Sequence, residues 1–154
     1  MENYQLIPIK NLVDALSVRK IRNDCRSFMT NDASEITILQ QIKWFLNKYR
    51  PENKKNNLFC YQLKSGENKI GFGLIRKISD NYWITGGLKK SQRGKGIGKI
   101  IFRKLIEQTP SNEVWLEVLE SNLVAFNLYK NLGFKKMDQK ELNGKKIFIM
   151  KLSK

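Results

Sequence analysis

The sequence predicts a single-domain mixed α/β fold, in which a mostly antiparallel sheet of about seven strands is flanked by helices. Three sheet-like runs follow one another between residues 58 and 89, and a glycine-rich stretch then leads into an amphipathic helical pattern. Near the end, two further runs flank Asn143-Gly144, a dipeptide typical of a two-residue hairpin turn. A length of 154 residues suits one domain, so we expect residues 1–154 to form a single unit.

The first third of the chain predicts an edge strand and two helices. Residues 6–9 form a short apolar run whose proline suits an edge strand, and residues 11–28 carry weakly helical apolar spacing. Asp32, followed by Glu35 three residues later, predicts a capping box at the start of a second helix. The proline after Arg50 predicts that this helix ends there.

The middle of the chain predicts an antiparallel meander. Residues 58–64, 69–78 and 82–89 are rich in strand formers and are separated by short polar turns. Glycines inside these runs predict either bulges or places where another group closely approaches the backbone. They are Gly71, Gly73, Gly86 and Gly87.

The last third predicts a strand, a helix and a hairpin. Residues 113–119 alternate between apolar side chains on one face and a mixed polar and aromatic set on the other. Ser121 is the predicted cap of the following helix, and Gly133 is its predicted left-handed stop. The strands of the terminal hairpin are expected at 134–142 and 145–152.

Composition excludes several kinds of site. The chain has no histidine, which removes Ser-His and Cys-His nucleophile pairs and zinc sites that need an imidazole. Cys25 and Cys60 are far apart and in no metal-like spacing, so we expect two thiols and no metal. No apolar run approaches the ~20 residues of a membrane span, and no basic segment precedes an apolar one at the N-terminus. We therefore expect a cytoplasmic protein with no membrane partner.

The net charge of +15 attracts anions and makes nucleic acid a competing partner. The cations are scattered in pairs, however, without a dense basic arm or an aromatic RNA-binding signature. The charge therefore favours solubility and attraction for a phosphorylated cofactor over nucleic-acid binding. No heptad pattern indicates an oligomeric state.

A glycine-rich stretch with interleaved cations carries the main functional signal. Gly94, Gly96 and Gly98 lack a Cβ, so the main chain can turn tightly and direct successive N–H groups at an anion where a helix begins. A solvated surface turn is the alternative interpretation. Neither familiar phosphate motif fits, because no Ser or Thr follows a Gly-Lys pair and the third glycine of a dinucleotide fingerprint would fall on Lys99.

The pattern Arg-x-x-Gly-x-Gly in Arg93–Gly98 resembles the acetyl-coenzyme A pyrophosphate loop of the GNAT superfamily of N-acetyltransferases. A second block matches that superfamily in residue type, order and spacing. It contains Val114–Val118, Asn122, Ala125, Leu128–Lys130 and Leu132–Phe134. The resemblance implies a GNAT-like N-acetyltransferase domain over residues 1–154, with a sheet that splays between its fourth and fifth strands to admit acetyl-coenzyme A.

The same resemblance implies how the cofactor is held. Leu88 would pair with the pantetheine arm like an added strand. Asn122 matches the position that hydrogen-bonds the pantetheine, although a role limited to starting the helix is the alternative, and Ala125 belongs to the same cofactor-binding set. The backbone donors for the pyrophosphate would be Arg93, Gly94, Lys95, Gly96, Ile97 and Gly98.

Acetyl transfer to an amine requires a neutral nitrogen, and deprotonating an alkyl amine at pH 7 costs ~4.6 kcal/mol. The chain around Glu117 and Tyr129 is similar to the ribosomal-protein alanine acetyltransferases, which implies Glu117 as the base and Tyr129 as the acid that protonates the departing thiolate. Glu117 as an exposed strand carboxylate and Tyr129 as a packing residue are the alternatives. Glu113, Asp24 and Glu35 are substitute bases.

The expected acceptor is a small-molecule amine. The alanine acetyltransferases carry a tyrosine-rich loop between their last strands, whereas residues 135–141 contain no tyrosine. The segment between Arg22 and Phe45 looks more like relatives that modify small molecules such as amino sugars. Two alternatives stay open: acetylation of a protein N-terminus, and a non-enzymatic basic module that binds nucleic acid.

Overall fold

One seven-stranded sheet organises the computed structural model, which describes residues 3–154. Its strands are β1 (Tyr4–Pro8), β2 (Leu58–Ser65), β3 (Asn68–Ile78), β4 (Asn81–Leu88), β5 (Glu113–Leu119), β6 (Lys135–Leu142) and β7 (Lys145–Ser153). They lie in the order β1-β2-β3-β4-β5-β7-β6, and only the β4–β5 pair is parallel. This confirms the predicted mostly antiparallel sheet, with β1 at one edge.

Five α-helical segments flank the sheet. They are α1 (Leu12–Asp24), α2 (Ile38–Trp44), α3 (Arg50–Lys54), α4 (Ile97–Gln108) and α5 (Leu123–Asn131). A π-helical turn, Phe45–Tyr49, joins α2 to α3 without a break, and short 3₁₀ turns lie at Arg26–Phe28 and Lys90–Gln92. The order of helices and strands is therefore the predicted one.

The predicted capping box at Asp32 and Glu35 is wrong, because α2 begins five residues later. Thr37 Oγ1 accepts from the Gln40 N–H at 3.1 Å, and Gln40 Oε1 accepts from the Thr37 N–H at 2.8 Å. Asp32 instead accepts from the N–H and the hydroxyl of Ser34, at 2.9 and 2.6 Å. A local side-chain turn of this kind competes with helix initiation. Of the two similar polar patterns, at Asp32 and at Thr37, the prediction chose the one that forms the turn and not the one that caps α2.

The predicted end of this helix at Arg50 is also wrong, because α3 carries it through Pro51 to Lys54. Proline inside a regular α-helix lacks a donor and clashes with the carbonyl four residues earlier. Here the preceding turn, Phe45–Tyr49, is π-helical and therefore wider than an α-helical turn. The π turn accounts for the tolerance of proline at this position.

The glycines of the meander allow close packing, which confirms one of the two predicted explanations. A Cβ on Gly73 would lie 2.6 Å from a methyl carbon of Leu105 on α4. A Cβ on Gly87 would lie 2.7 Å from Cys25 Sγ, next to the end of α1. The β2–β3 register shift lies instead at Leu63/Lys64. Glycine therefore lets helices approach β3 and β4 from both faces.

Turn residues near the C-terminus behave as predicted. Gly133 ends α5 with φ +104°, and Asn143 and Gly144 have φ of +53° and +75°. Two consecutive positive φ values are the requirement of a type I′ hairpin turn. Asn143 and Gly144 connect β6 to β7, and Leu142 pairs with Lys145 as predicted for a tight hairpin.

Two apolar cores cover opposite faces of the sheet. In the first core, α4 and α5 pack on residues such as Ile75 and Leu116. In the second, α1 and the π turn pack on residues such as Cys60 and Phe72. Among the described residues, the second core includes none from β5, β6 or β7. We call the part of this second face on β3, β4 and β5 that bears Arg76, Trp83, Trp115 and Glu117 the open face.

Candidate active site

The sheet splits between β4 and β5. These parallel strands are joined by one bridging pair, Trp83 and Trp115, and have no further paired residues. Beyond that bridge, residues 84–88 of β4 and residues 116–119 of β5 face a gap. The predicted splay between the fourth and fifth strands is thus present.

Unpartnered backbone donors gather where α4 begins, beside the end of β4. Gly94 and Gly96 have φ of +75° and +79°, and Gly96 caps α4. Within residues 3–154, the N–H groups of Gly94, Lys95 and Gly96 donate to no acceptor. Those of Ile97 and Gly98 are in the first turn, where helix geometry supplies none. Five adjacent N–H groups at a helix N-terminus are thus available as donors, and the helix dipole there favours negative charge.

Arg93 ties three segments together rather than facing that anion site. Its Nε donates to the Leu88 carbonyl at 3.2 Å, and Nη2 donates to the Asp24 carbonyl at 2.9 Å and to Cys25 Sγ at 3.3 Å. Its backbone N–H is directed at the Lys90 carbonyl at 3.3 Å. Arg93 therefore fixes the loop between the ends of α1 and β4.

The end of β4 presents its backbone to the gap. Lys89 N–H donates to the Ile70 carbonyl on β3, and because these groups alternate in direction along a strand, the N–H of Leu88 points toward the gap. The Leu88 carbonyl also accepts from the Cys25 thiol at 3.3 Å. Burial raises the pKa of Cys25, so that thiol stays protonated and can donate.

The predicted cap at Ser121 is wrong, because Asn122 caps α5. Asn122 Oδ1 accepts from the Ala125 N–H at 3.2 Å. The helix-starting role is therefore real, but it uses only the oxygen of the side chain. The Asn122 amide nitrogen donates to no atom within the part of the chain that the structure describes.

Tyr129 lies on the α4 side of the sheet, with its ring in the first core. The ring centroid is 4.9 Å from that of Phe102 and 6.0 Å from that of Phe134, and the residue is 8% exposed. Its hydroxyl makes no hydrogen bond within residues 3–154. Burial raises the pKa of Tyr129, so the phenol remains a proton donor at neutral pH.

Glu117 lies on the open face, two residues beyond the Trp83–Trp115 bridge. Its Oε1 accepts from Lys140 Nζ at 2.8 Å, whereas Oε2 is buried and has no partner within the described chain. Tyr129 and Glu117 therefore lie on opposite faces of the sheet.

The substitute carboxylates lie elsewhere. Glu113 is at the outer end of β5, 3.5 Å from Lys151, and Asp24 is exposed at the end of α1. Glu35 pairs with Arg26 at 3.6 Å, before α2 begins. Of the four candidate carboxylates, Glu117 is the one placed just past the point where β4 and β5 separate.

Sequence analysis indicated no functional role for three residues of the open face. Arg76 is paired with Trp83 across β3 and β4, and the Trp83 and Trp115 ring centroids are 5.5 Å apart. Arg76 Nε and Trp115 Nε1 are buried and unpartnered within the described residues. Strand register brings these residues together, so the available signal was the alternation of the three strands. Within residues 3–154, no cluster of His, Cys, Asp or Glu could hold a metal ion, and no helix is long and apolar enough to cross a bilayer.

Comparison with known proteins gives a consistent picture. Residues 16–134 match the model of the Acetyltransferase (GNAT) family. The spermine/spermidine N(1)-acetyltransferase of Bacillus subtilis is 30% identical over 64 residues, covering 39% of this chain and 42% of that protein. The N-alpha-acetyltransferase RimI of Mycobacterium tuberculosis is 29% identical over 79 residues, covering 48% of this chain and 50% of RimI. The matched part spans about half the length of such relatives.

Solved structures share the fold. The spermidine N-acetyltransferase of Vibrio cholerae, in complex with coenzyme A and spermine, superposes with a TM-score of 0.81 at 15% identity. That superposition covers 97% of this chain and 95% of the other.

Proposed function

The chain belongs to the Acetyltransferase (GNAT) family, and we propose that residues 1–154 form one N-acetyltransferase domain that transfers the acetyl group of acetyl-coenzyme A to a small-molecule amine. The observation that carries this proposal is the row of free N–H groups from Gly94 to Gly98 beside the gap between β4 and β5. The presence of coenzyme A in a structure of the same fold supports the choice of cofactor.

The pyrophosphate and the pantetheine of the cofactor would bind to different parts of the chain. Its pyrophosphate would accept hydrogen bonds from the loop, where the helix dipole also favours negative charge. Its pantetheine would run along β4, accepting from Leu88 N–H and from the Asn122 amide. Ala125, half-buried in the first turn of α5, adds little bulk beside that path. Arg93 supports the loop through its contacts with β4 and α1.

The chemistry runs across the gap. Glu117 Oε2 takes a proton from the ammonium form of the acceptor, directly or through water, which offsets the ~4.6 kcal/mol needed at pH 7. The neutral nitrogen attacks the thioester carbonyl, the C–N bond forms, and the nitrogen gives up its surplus proton to water as the C–S bond breaks. The coenzyme A thiolate leaves with the bonding electron pair and takes the hydroxyl proton of Tyr129, and the phenolate is then reprotonated from water. The opposite placement of the two residues lets one serve the nitrogen and the other the sulfur.

A protein N-terminus is the second candidate acceptor, supported by the match to RimI. The absence of tyrosine from residues 135–141 and the match to a spermine/spermidine acetyltransferase support a small amine instead. Membership of the family does not favour the nucleic-acid-binding module that the net charge suggested.

Turnover tests this proposal. Purified protein is incubated with acetyl-coenzyme A and one acceptor at a time, drawn from amino acids, amino sugars, polyamines and peptides with free N-termini. Release of the coenzyme A thiol should depend on the acceptor, and mass spectrometry should find one acetyl group on the product. Acceptor-independent release, or none with any acceptor, would contradict the proposal. Acetylation of peptides alone would favour the second candidate.

A further inference from the structure

Three buried polar atoms on the open face have no partner within residues 3–154. They are Arg76 Nε and Trp115 Nε1, which can only donate, and Glu117 Oε2, which accepts when ionised. An unpaired buried polar atom destabilises the folded state, and native structures rarely leave several together. Two donors and one acceptor on one face therefore define what a bound molecule must supply.

Strand register places the residues that carry these atoms next to one another on one face of the sheet. Arg76 is paired with Trp83, and Trp83 is paired with Trp115, so the three side chains form a row across β3, β4 and β5. Neighbouring strands are ~4.8 Å apart, so the row spans ~10 Å. Glu117 projects from the same face two residues after Trp115. The two indole rings, 5.5 Å apart and inclined by 32°, form an aromatic floor between Arg76 and Glu117.

Arg76 and Glu117 interact electrostatically but do not form an ion pair. Burial lowers the pKa of Arg76, and the charge of Glu117 opposes that shift. Yet the ion pair of Glu117 is with Lys140, at 2.8 Å. The Arg76 guanidinium is thus a largely buried charge with an uncompensated donor, a costly arrangement unless an anion occupies the space beside it.

The surrounding charge is positive. The carboxylates of this face are compensated by lysines, since Glu117 pairs with Lys140 and Glu113 pairs with Lys151. Lys151 Nζ also lies 5.5 Å from the centroid of the Trp115 ring. An acceptor with several positive charges would be repelled here, whereas one with an anionic group beside its amine would be attracted.

We propose that the acceptor is a small zwitterion of the amino-acid type, whose carboxylate accepts hydrogen bonds from Arg76 Nε and Trp115 Nε1 while its amine faces Glu117 Oε2. The inference rests on the acetyltransferase function proposed above and specifies the substrate class of the same site. The indole floor contacts the carbon skeleton between the two polar ends. Polyamines, amino sugars and peptide N-termini lack the adjacent carboxylate and leave Arg76 unpaired.

Matched acceptor pairs test this inference. The value of kcat/KM is measured for free α-amino acids, for their carboxamides, and for spermine and glucosamine. The free acids should exceed their carboxamides by about 10- to 100-fold, as expected for hydrogen bonds to a charged partner. In Arg76→Leu, kcat/KM for the acids should fall to the level of the amides, and Arg76→Lys should retain part of the preference.

A control variant tests whether the effect is specific to Arg76, and the possible outcomes distinguish failure of this inference from failure of the proposed function. Lys77→Leu changes an exposed cation next to Arg76 in sequence but on the opposite face of β3, and should keep the preference intact. Arg76 has no ion-pair partner within the described residues, and Glu117 keeps its pair with Lys140, so Arg76→Leu leaves no partner charge buried and should fold. Equal or better turnover of amides, amino sugars or polyamines would overturn this inference and leave the acetyltransferase function standing. No turnover of any amine would overturn both.

Discussion

The two sides of the β4–β5 gap are built by different means. On the side where we propose that the cofactor binds, the available groups are main-chain N–H groups of residues 94–98, in a loop with two positive φ values. On the side where we propose that the acceptor binds, the available groups are side chains from β3, β4, β5 and β6, which are far apart in sequence. A contiguous loop can be recognised in the sequence as a motif. A surface assembled by strand register cannot be recognised in this way.

The largest expected effect is on kcat and comes from substitution of Tyr129. Tyr129→Phe removes a hydroxyl that has no hydrogen bond within the described residues, so stability and cofactor affinity should change little. Loss of the general acid should lower kcat by about 10²- to 10⁴-fold. Steady-state kinetics and a direct binding titration with acetyl-coenzyme A measure the two quantities.

A matched variant controls for the loss of a buried phenol. Tyr61→Phe, in the same apolar core at 7% exposed, should leave kcat unchanged. Wild-type turnover in Tyr129→Phe with every active acceptor would show that the acid is a different group.

The next largest effect is on cofactor affinity and comes from the backbone of the glycine loop. Gly96→Ala places a Cβ at φ +79°, which costs about 1–2 kcal/mol, and it distorts the N–H groups that face the anion. We expect acetyl-coenzyme A to bind about 10-fold more weakly, a change of ~1.4 kcal/mol, as measured by calorimetric titration.

Gly66→Ala is the matched control, since Gly66 has φ +59° in the distant β2–β3 turn. A Cβ on either glycine would meet no atom within 4 Å, so both substitutions should lower the free energy of unfolding alike. If both also weaken cofactor binding equally, the loop has no special role.

A smaller effect distinguishes the two roles of Asn122. Asn122→Ala should lower the free energy of unfolding by about 1 kcal/mol through loss of the helix cap. Asn122→Asp keeps the oxygen that caps α5 but loses the amide donor, so it should restore stability while KM for acetyl-coenzyme A rises by about 3- to 10-fold. Full recovery of KM in Asn122→Asp would mean that Asn122 only caps the helix.

The smallest effect is a pH dependence at the junction of α1 and β4. Burial raises the pKa of Cys25, so the folded chain keeps a proton that the unfolded chain loses above pH ~8.5. The unfolded state then binds fewer protons, and stability falls as pH rises, by less than about 1 kcal/mol at pH 9. Chemical denaturation between pH 7.5 and 9.5 should show a shallower decline in Cys25→Ala than in the wild type. Parallel pH profiles would contradict this account.

Local patterns predicted much of the fold, because they depend on neighbours in sequence. The meander, the strand 113–119 and the hairpin at Asn143 all follow from alternation and turn residues. The start of α2 could not be chosen in advance, since Asp32 and Thr37 head similar polar patterns and only the contacts decide between them. The π turn that carries the helix past Pro51 has no comparable sequence signal.

In the candidate site, too, residues within sequence motifs could be predicted, and residues brought together by strand pairing could not. The glycine loop, Asn122 and Tyr129 were chosen from spaced motifs, which can be recognised without knowledge of the fold. Arg76 and Lys140 were not chosen, because their relation to Glu117 depends on the pairing of four strands and on a hairpin that returns across β7. A lysine or arginine in a chain with 29 such residues carries no signal until that pairing is known.

The central claim is that the free N–H groups of residues 94–98 bind the pyrophosphate of acetyl-coenzyme A. The most direct measurement is the thermal unfolding midpoint of the wild type and of Gly96→Ala, with acetyl-coenzyme A and with ATP at equal concentration. At a ligand concentration of ~100 times Kd, acetyl-coenzyme A should stabilise the wild type by ~2.7 kcal/mol, or about 5–10 °C, with about half of that shift for the variant and a much smaller shift for ATP. Equal shifts with both ligands, or none, would contradict the claim.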